Sequence, residues 1–292
     1  MVILKNISLI TLNYNNVQAT INFVKRVANY EIIDHIVVVD NKSTDDSLER
    51  LVKIKNKKIS VISSGKNGGY GFGNNYGLNY VNNKFKSKYI IISNPDVYFS
   101  ENVVLKLYDL LNKSSELLIA SAVMTDQNGV KQSNTAWRLL PCFTYILNEG
   151  ALLHRVFKFN NYRNLFMDNR SSVKFVDCLA GSFFMIKQND IFSNGIYDEN
   201  MFLYCEEDYL GMKIRNYGYK AALILDEVFI HKHGDTINKI YSVKIEQDKM
   251  IFKNELYLMK KYMEASRKMI LFAKCFFSIC LFERYIYRIL FK

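Results

Sequence analysis

Residues 36–46 read IVVVDNKSTDD. Four β-branched residues in succession predict a strand that is buried on both faces, and the polar residues after them predict a turn and the start of a helix. The alternation continues on both sides, with strands predicted over 7–12, 59–62 and 89–93 and helices over 17–30, 47–54, 74–81 and 101–111. Strands that alternate with helices in this way predict an α/β fold with a mainly parallel central sheet flanked by helices.

The second half of the chain predicts a continuation of the sheet and a helical extension. Strands are predicted over 173–177, 182–186 and 222–230, and helices over 208–217 and 245–263, whereas 124–170 has no clear period. We therefore predict one large domain over residues 1–240, composed of a first part over 1–123 and a second part over 124–240, with a C-terminal helical region over 241–292.

The composition is that of a globular protein with a basic surplus. The 292 residues are 49% hydrophobic and 23% charged with only 2 prolines, which excludes disordered, collagenous and coiled-coil proteins. The net charge of +11 favours anionic partners. The five cysteines form no CxxC pair and predict reduced thiols of a cytoplasmic protein, not disulfides or a zinc site. The first residues lack the pattern of a signal peptide and predict a strand.

Three polar clusters follow predicted strands. Asp40 ends the first of these strands, the glycine-rich stretch GKNGGYGFGNNYG occupies residues 65–77, and SNPDV occupies residues 93–97. Helix caps or plain turns would explain each cluster taken alone. Ligands bind at the carboxyl ends of the strands in such sheets, however, and all three clusters are expected at that edge.

Two further clusters carry titratable groups. The segment MFLYCEEDYLGMKIRNYGY, residues 201–219, has three consecutive carboxylates at 206–208 where a helix is predicted to begin. Acidic groups suit a helix N-terminus through its dipole, and a carboxylate in a partly apolar cleft can also act as a general base. In FIHKHGDT, residues 229–236, His231 and His233 share one face of an extended chain and could bind a metal.

Together, and in this order, the five clusters resemble a family 2 inverting glycosyltransferase with the GT-A fold. The resemblance is closest to the bacterial rhamnosyltransferase-like branch, which builds surface polysaccharides. The segments that carry it are ITLNYNN, VVVDNKSTD, NGGYGFGNNYG, SNPDV, AGSFFMI, FLYCEEDYLGMKIRNYGY and VFIHKHG. It covers residues 8 to about 236 and implies nucleotide-sugar binding by residues 1–123 and an acceptor and catalytic part over 124–240.

The resemblance implies a set of donor-binding residues. Asp40 would bind the nucleotide base, with Thr11 and Asn13 lining the same pocket. Asn67 and Asn75 would help to hold the nucleotide sugar.

The resemblance also implies a divalent cation, Mg²⁺ or Mn²⁺. The segment Asn94-Pro95-Asp96 stands where the family has its metal-binding Asp-x-Asp, so Asp96 would be the ligand and Asn94 replaces the first carboxylate. His231 would be a further contact to the metal or the diphosphate, with His233 as the alternative.

The catalytic base falls in the acidic triplet. Counted along the family motif, it is Glu207, and Glu206 or Asp208 could take the role if the register slips by one. Gly181 and Ser182 would line the acceptor side.

The implied function is transfer of a sugar from a nucleotide donor to a polyprenyl-diphosphate-linked or glycan acceptor. The donor indicated by this branch is dTDP-L-rhamnose. Two alternatives stay open: a UDP-sugar-dependent hexosyl or N-acetylhexosaminyl transferase of the same family, and an inactive scaffold that binds nucleotide sugars.

The C-terminal segment 265–292 predicts a basic amphipathic helix. It carries six Lys/Arg and one Glu, with apolar residues over much of the rest. At 100° per residue the basic side gathers Arg267, Lys274, Arg288 and Lys292, with Arg284 at its border. Its apolar run is too short to span a bilayer, so we expect it to lie on an anionic membrane leaflet, at the inner face of the cell membrane. A helix packed on the catalytic domain or a second subunit is the alternative, and charge gathered beside an apolar tail argues against nucleic-acid binding.

Overall fold

The structure, a computed structural model, describes residues 6–150, 153, 156–157, 159, 161–162, 165–166, 171–232 and 244–290. Its first part alternates strands and helices as the sequence predicts. The elements are β1 (Ile7–Asn13), α1 (Val17–Val27), β2 (His35–Asp40), α2 (Ser47–Val52), β3 (Ile59–Ser63), α3 (Gly69–Lys84) and β4 (Tyr89–Ser93). The strands lie in the order β3-β2-β1-β4 and are all parallel.

The second part extends this sheet and adds helices. The elements are β5 (Val97–Tyr98), α4 (Glu101–Lys113), β6 (Leu117–Thr125), β7 (Ala136–Trp137), α5 (Cys142–Asn148), β8 (Val173–Val176), β9 (Cys178–Leu179), β10 (Phe183–Lys187), α6 (Glu206–Asn216), β11 (Lys220–His231), α7 (Lys244–Lys261) and α8 (Arg267–Leu290). Short 3₁₀ turns cover Ser133–Thr135 and Asp190–Phe192. The central sheet has the order β3-β2-β1-β4-β10-β6-β11-β5, and β8 pairs with β11.

The central sheet is mainly parallel, as the sequence predicts, and its second part also contains antiparallel strands. Strand β10 lies between β4 and β6 and is antiparallel to both, whereas β6 and β11 are parallel. The hydrophobic pattern of a fully buried strand is the same in either direction, so the sequence does not indicate this reversal.

The core forms on both faces of the sheet. Along β2, Ile36 and Val38 pack on the side of α1 and α4, whereas Val37 and Val39 pack on the side of α3 and α6. Successive side chains of a strand point to opposite faces, so a run of four β-branched residues serves both layers. The three-layer arrangement leaves the carboxyl ends of the parallel strands free to form a site.

Helix α3 begins five residues earlier than predicted and takes in most of the glycine-rich stretch, which is therefore not a loop. A Cβ at Gly73 would lie 3.0 Å from Leu12, and one at Gly77 would lie 2.7 Å from Ile10. These glycines, four residues apart, let the helix lie directly against the sheet. The sequence pattern missed this turn of helix because its contact face carries glycine in place of apolar side chains.

The C-terminal helices pack against α5, in the second part of the chain. Apolar residues of α5, α7 and α8 form one cluster that includes Ile146, Phe252 and Phe277. Arg284 pairs with Glu149 at 2.9 Å and with Asp248 at 2.9 Å, and Arg288 pairs with Asp248 at 2.7 Å. Arg288, which the sequence places on the basic side of the helix, and Arg284, at the border of that side, are therefore both paired with carboxylates of the protein.

The outward face of α8 is apolar. Its outer stripe is spaced at three and four residues and consists of Leu271, Cys275, Ile279, Phe282, Ile286 and Ile289, all exposed. Across the described ranges, no helix combines the length and the hydropathy that a membrane span requires. The helix therefore presents one packed face and one exposed apolar face.

Candidate active site

At the end of β2, Asp40 is the centre of a buried hydrogen-bond network. Asn13 is its register partner on β1 and donates a 3.0 Å hydrogen bond to the Asp40 carboxylate. The hydroxyl and the backbone N–H of Ser43 donate to the same carboxylate at 2.6 and 3.0 Å. Asp40 is 1% exposed and Asn13 is fully buried, so the carboxylate anchors the turn after β2.

Thr11 lies deeper, within β1. Its side chain is fully buried, and its hydroxyl has no hydrogen-bond partner among the residues that the structure describes. This burial removes Thr11 from the surface of the pocket, contrary to the prediction that it lines it.

The two asparagines of the glycine-rich stretch have different environments. The carbonyl of Asn67 accepts hydrogen bonds from Asn41 at 3.1 Å and from the N–H of Gly69 at 3.2 Å, at the start of α3. Asn75 is buried, and its amide donates to the carbonyl of Tyr197 and to Glu199.

The carbonyl of Asn75 accepts from the N–H groups of Ile196 and Tyr197 at 2.9 and 3.1 Å. An amide has two donors and two acceptor positions, so all of the hydrogen-bonding capacity of Asn75 is used within the protein. The structure thus makes Asn75 a link between α3 and the segment before α6, not a ligand contact.

Asp96 and His231 meet at the edge of the sheet. His231 pairs with Val97 across the antiparallel β5–β11 contact, which brings the His231 Nε2 atom to 3.4 Å from Asp96 Oδ1. Among the described residues, Asp96 Oδ1 is a buried oxygen without a hydrogen-bond partner. His233 lies outside the described residues.

A buried carboxylate oxygen that accepts no hydrogen bond and lies 3.4 Å from an imidazole nitrogen fits a divalent cation. Within the described ranges no group of three or more His, Cys, Asp or Glu could enclose a metal ion. A cation here would take Asp96 and His231 from the protein and complete its shell from water and ligand oxygens.

A strained turn precedes the acidic triplet. Tyr204 and Cys205 have φ values of 76° and 69°, consecutive left-handed conformations that each cost on the order of 1–3 kcal/mol in a non-glycine residue. Directly after them, α6 begins at Glu206. Strain of this kind persists only where the surrounding structure imposes it, and it is concentrated at functional sites.

The three carboxylates of the triplet occupy three different environments. Glu206 is buried, 2% exposed. Asp208 accepts hydrogen bonds from the indole N–H of Trp137 at 2.7 Å and the hydroxyl of Tyr145 at 2.9 Å. Glu207 is partly exposed and accepts a 3.2 Å hydrogen bond from the N–H of Gly181. Of the three, Glu207 is the carboxylate that is both partly exposed and hydrogen-bonded to the predicted acceptor side.

Burial shifts the acidity of all three groups. It raises the pKa of Glu207 to about 7, with a smaller contribution from the charge of Asp208. Burial, followed by the charge of Glu207, raises the pKa of Glu206 well above its usual range. Burial also raises the pKa of Asp208, and hydrogen bonds from Trp137, Tyr145 and Cys178 oppose that rise. A carboxylate with a pKa near 7 is suited to accept a proton near neutral pH.

One turn, residues 180–182, contacts both the Glu207 carboxylate and the segment Asn94–Asp96. The N–H of Gly181 donates to Glu207, and its carbonyl accepts from the hydroxyl of Tyr70 at 2.6 Å. The carbonyl of Ser182 accepts from the N–H of Asn94 at 2.9 Å. Glu207 and the Asn94–Asp96 segment therefore flank the same short turn, with the Glu207 carboxylate on one side and Asp96 beside His231 on the other.

Sequence reasoning missed several residues that build this site. Tyr70 stands among the glycines, and Trp137 and Tyr145 lie in the stretch that showed no period. An aromatic residue with a polar tip, isolated in an unpatterned segment, was the only signal available for them.

Known proteins share sequence and fold with this chain. The family model described as "Glycosyl transferase family 2" matches residues 8–189. The low-salt glycan biosynthesis hexosyltransferase Agl10 of Haloferax volcanii is 25% identical over 205 residues, which are 70% of this chain. The match spans 60% of that protein's length.

Two solved structures share the fold. One is the mannosyltransferase PcManGT from Pyrobaculum calidifontis in complex with GDP-Man and Mn²⁺, with a TM-score of 0.58, 13% identity, and coverage of 93% of this chain and 69% of that one. The other is S. aureus TarS 1-349 in complex with UDP-GlcNAc, with a TM-score of 0.55, 14% identity, and coverage of 88% and 67%. The fold is GT-A.

Proposed function

Because this chain belongs to glycosyltransferase family 2, we propose that it transfers a sugar from a nucleoside-diphosphate donor to a hydroxyl group of a glycan or polyprenyl-diphosphate-linked acceptor. The observation that carries the proposal is that Glu207, with a pKa of about 7, and Asp96, beside His231, flank the turn at residues 180–182. The two groups that such a transfer requires would thus lie on either side of one short turn.

The proposed reaction is a single displacement that inverts the anomeric carbon. The carboxylate of Glu207 takes the proton of the acceptor hydroxyl while that oxygen forms a bond to the anomeric carbon. The bond from the anomeric carbon to the diphosphate breaks, and its electron pair leaves with the nucleoside diphosphate. The N–H of Gly181 holds Glu207 in place and keeps its carboxylate directed at the turn.

Asp96 and His231 would hold Mg²⁺ or Mn²⁺. When bound, the cation would offset the charge that develops on the departing diphosphate. The Mn²⁺ in the PcManGT complex supports a divalent cation for this chain. The backbone N–H of Asn94 donates to the carbonyl of Ser182. Asp96 would therefore be the only carboxylate that the segment Asn94-Pro95-Asp96 offers to the cation.

The donor side follows β2 and α3. Because Ser43 and Asn13 already use the Asp40 carboxylate, we propose that Asp40 shapes the base pocket through the turn it anchors. Asn67, at the start of α3, would face the nucleotide sugar. Among donors we propose dTDP-L-rhamnose on the sequence resemblance, and a UDP-hexose or UDP-N-acetylhexosamine as the alternative that the TarS complex with UDP-GlcNAc supports.

A donor screen tests the function. Thermal shift of the full chain with dTDP, UDP and GDP sugars, each with and without Mn²⁺, identifies the donor, and release of nucleoside diphosphate with a glycan acceptor measures transfer. The transferase proposal requires both a shift and product. A shift without either transfer or donor hydrolysis supports the inactive scaffold and contradicts the proposal.

The pH dependence of transfer is expected to report Glu207. Its pKa is raised to about 7, and the base is active only when deprotonated, so kcat/KM falls as the pH drops below about 7. About half of the maximal value is expected at pH 7 and roughly a tenth at pH 6. Initial rates across this range, with the donor well below KM, measure the profile. A profile that is flat across neutral pH contradicts Glu207 as the base.

We further propose that the outer stripe of α8 binds an anionic membrane surface, where a polyprenyl-linked acceptor would lie. Leu271, Ile279 and Phe282 are 64%, 63% and 66% exposed, and a contiguous exposed apolar face of this size is rare without a partner. Phe272, beside the stripe, stacks on Phe143 of α5, with 5.9 Å between the ring centroids, and this pair widens the apolar surface.

The charges near the stripe favour anionic lipid over a second copy of the chain. Arg267, Lys268 and Lys274 are exposed on α8, whereas Arg284 and Arg288 are occupied by inward ion pairs. Exposed lysines beside an apolar face are typical of helices that lie in the interface of an anionic leaflet.

The double variant Ile279→Ser/Phe282→Ser is expected to weaken vesicle binding at least about tenfold, because each apolar side chain withdrawn from lipid forfeits on the order of 1.5–3 kcal/mol. Co-sedimentation with phosphatidylcholine vesicles, with and without phosphatidylglycerol, measures this. The control Val52→Ser/Tyr217→Ser removes two exposed apolar side chains elsewhere and should bind as the wild type does. If the α8 variant sediments with vesicles as the wild type does, the membrane proposal is contradicted. It is also contradicted if the wild type is a dimer and the α8 variant is a monomer.

A further inference from the structure

Helix α7 reaches the strained turn in front of α6. The side-chain amide nitrogen of Asn254 donates to the carbonyl of Leu203 at 2.7 Å and to the carbonyl of Tyr204 at 3.1 Å. Asn254 is 2% exposed, so these two carbonyls are its partners in a site from which water is excluded. The side-chain amide of Gln247, two turns earlier on α7, donates to the Tyr204 hydroxyl at 2.6 Å.

The two carbonyls that Asn254 binds are consecutive. The first, of Leu203, directly precedes the left-handed pair Tyr204–Cys205, and the second belongs to Tyr204 itself. Consecutive peptide carbonyls in an extended strand point in opposite directions. One nitrogen can bond both only where the chain turns sharply between them. The two hydrogen bonds are therefore specific to the strained conformation.

The opposite side of this turn is held by α3. The N–H of Tyr70 donates to the carbonyl of Phe202 at 2.9 Å. The preceding position, Gly69, accepts only glycine, because a Cβ there would overlap the same carbonyl. The turn is thus clamped between α3, which lies within the matched family segment 8–189, and α7, which lies outside it.

We propose that Asn254 is a positioning residue for the catalytic base, acting through the turn at residues 203–205. Glu207 lies on the first turn of α6, directly after the left-handed pair, so the geometry of that pair sets the direction of its carboxylate toward Gly181. The inference rests on the proposed function, in which Glu207 accepts the proton. It assigns to the C-terminal region, beyond any lipid contact, a part in building the active site.

The test compares Asn254→Leu with Tyr257→Phe. Leucine keeps the branched shape of asparagine at Cγ but removes both hydrogen bonds to the turn. Tyr257→Phe removes one hydrogen bond from the same helix to Asp198, 2.8 Å long, and leaves the turn untouched. Both variants lose contacts between α7 and the loops that precede α6, so a general effect of helix docking appears in both.

Asn254→Leu is expected to lower kcat by about 10- to 100-fold with the donor KM changed less than about threefold, because a misplaced base affects the chemical step more than binding. The acid limb of its pH–rate profile should move away from that of the wild type, and amide hydrogens of residues 203–206 should exchange faster. Tyr257→Phe should keep the wild-type kcat and pH limb. Equal losses of kcat in both variants, or a wild-type kcat and pH limb in Asn254→Leu, overturn the proposal.

The outcomes separate this inference from the proposed function. Hydrogen exchange of residues 203–206 needs no activity, so unchanged exchange in Asn254→Leu overturns the positioning role even if no donor is turned over. If Glu207→Gln transfers sugar normally, the base assignment fails, and with it the positioning of a base. If Glu207→Gln is inactive while Asn254→Leu behaves as the wild type, only the positioning role fails.

Discussion

Replacing Glu207 with glutamine is expected to slow sugar transfer by about 10²–10⁴-fold while nucleotide-donor binding stays within about threefold of the wild type. Glutamine keeps the shape of the side chain and can still accept the hydrogen bond from Gly181, but its amide cannot take the acceptor proton. Single-turnover rates with saturating donor measure the chemical step, and thermal shift with the donor measures binding.

The neighbouring carboxylates provide matched controls. Glu206 is buried, and burial together with the charge of Glu207 raises its pKa well above its usual range, which favours the neutral carboxyl group that the amide of Glu206→Gln resembles. We expect that variant to stay within about tenfold of the wild-type rate. A loss in Glu206→Gln that equals the loss in Glu207→Gln contradicts the assignment of the base to Glu207.

Folding of the Glu207→Gln variant can be checked from the sign of its pH dependence. The folded-state pKa of Glu207, about 7, is above that of an exposed glutamate, so the native state is favoured while the group is protonated and is penalised as the pH rises through 7. Glutamine cannot ionise and avoids this penalty. The variant should therefore be at least as heat-stable as the wild type at pH 8, which would separate a chemical defect from a folding defect.

Gly69→Ala is expected to destabilise the protein by about 2–5 kcal/mol and to lower Tm by roughly 5–15 °C. Gly69 has φ +91°, and a Cβ there would overlap the carbonyl of Phe202 and lie 2.6 Å from its carbonyl carbon. Both atoms belong to the backbone, so relief requires α3 to move away from the turn that leads to Glu207. Thermal unfolding and the transfer rate should fall together.

Gly65→Ala is the matched control for Gly69→Ala. Gly65 also has a positive φ, +77°, but nothing lies within 4 Å of a Cβ placed there. Its substitution should cost only the conformational part, about 1–2 kcal/mol, and leave the transfer rate unchanged. Equal losses of stability in the two alanine variants would mean that the overlap between the new Cβ and Phe202 adds nothing to the destabilisation caused by Gly69→Ala.

The candidate site was predictable where one local motif carries the chemistry. Asp96 and the carboxylate triplet stand in short motifs whose order resembles the family, and the structure brings Asp96 next to His231 through the β5–β11 pairing. Asn75 shows the limit of such reasoning, because its motif implies a ligand contact, whereas in the structure the whole amide is used in hydrogen bonds to the segment after Gly195.

The amino-acid sequence by itself determined the alternation of strands and helices, the positions of the polar clusters at strand ends and the family resemblance, because each depends on residues that are close together in the chain. Only the tertiary structure decided the direction of β10, which face of α8 is packed, and which of Glu206, Glu207 and Asp208 contacts Gly181. A buried strand has the same pattern in either direction, and a helical period indicates faces without indicating what covers them. The environment of each carboxylate depends on Gly181, Trp137, Tyr145 and the buried start of α6, and folding alone brings these distant segments together.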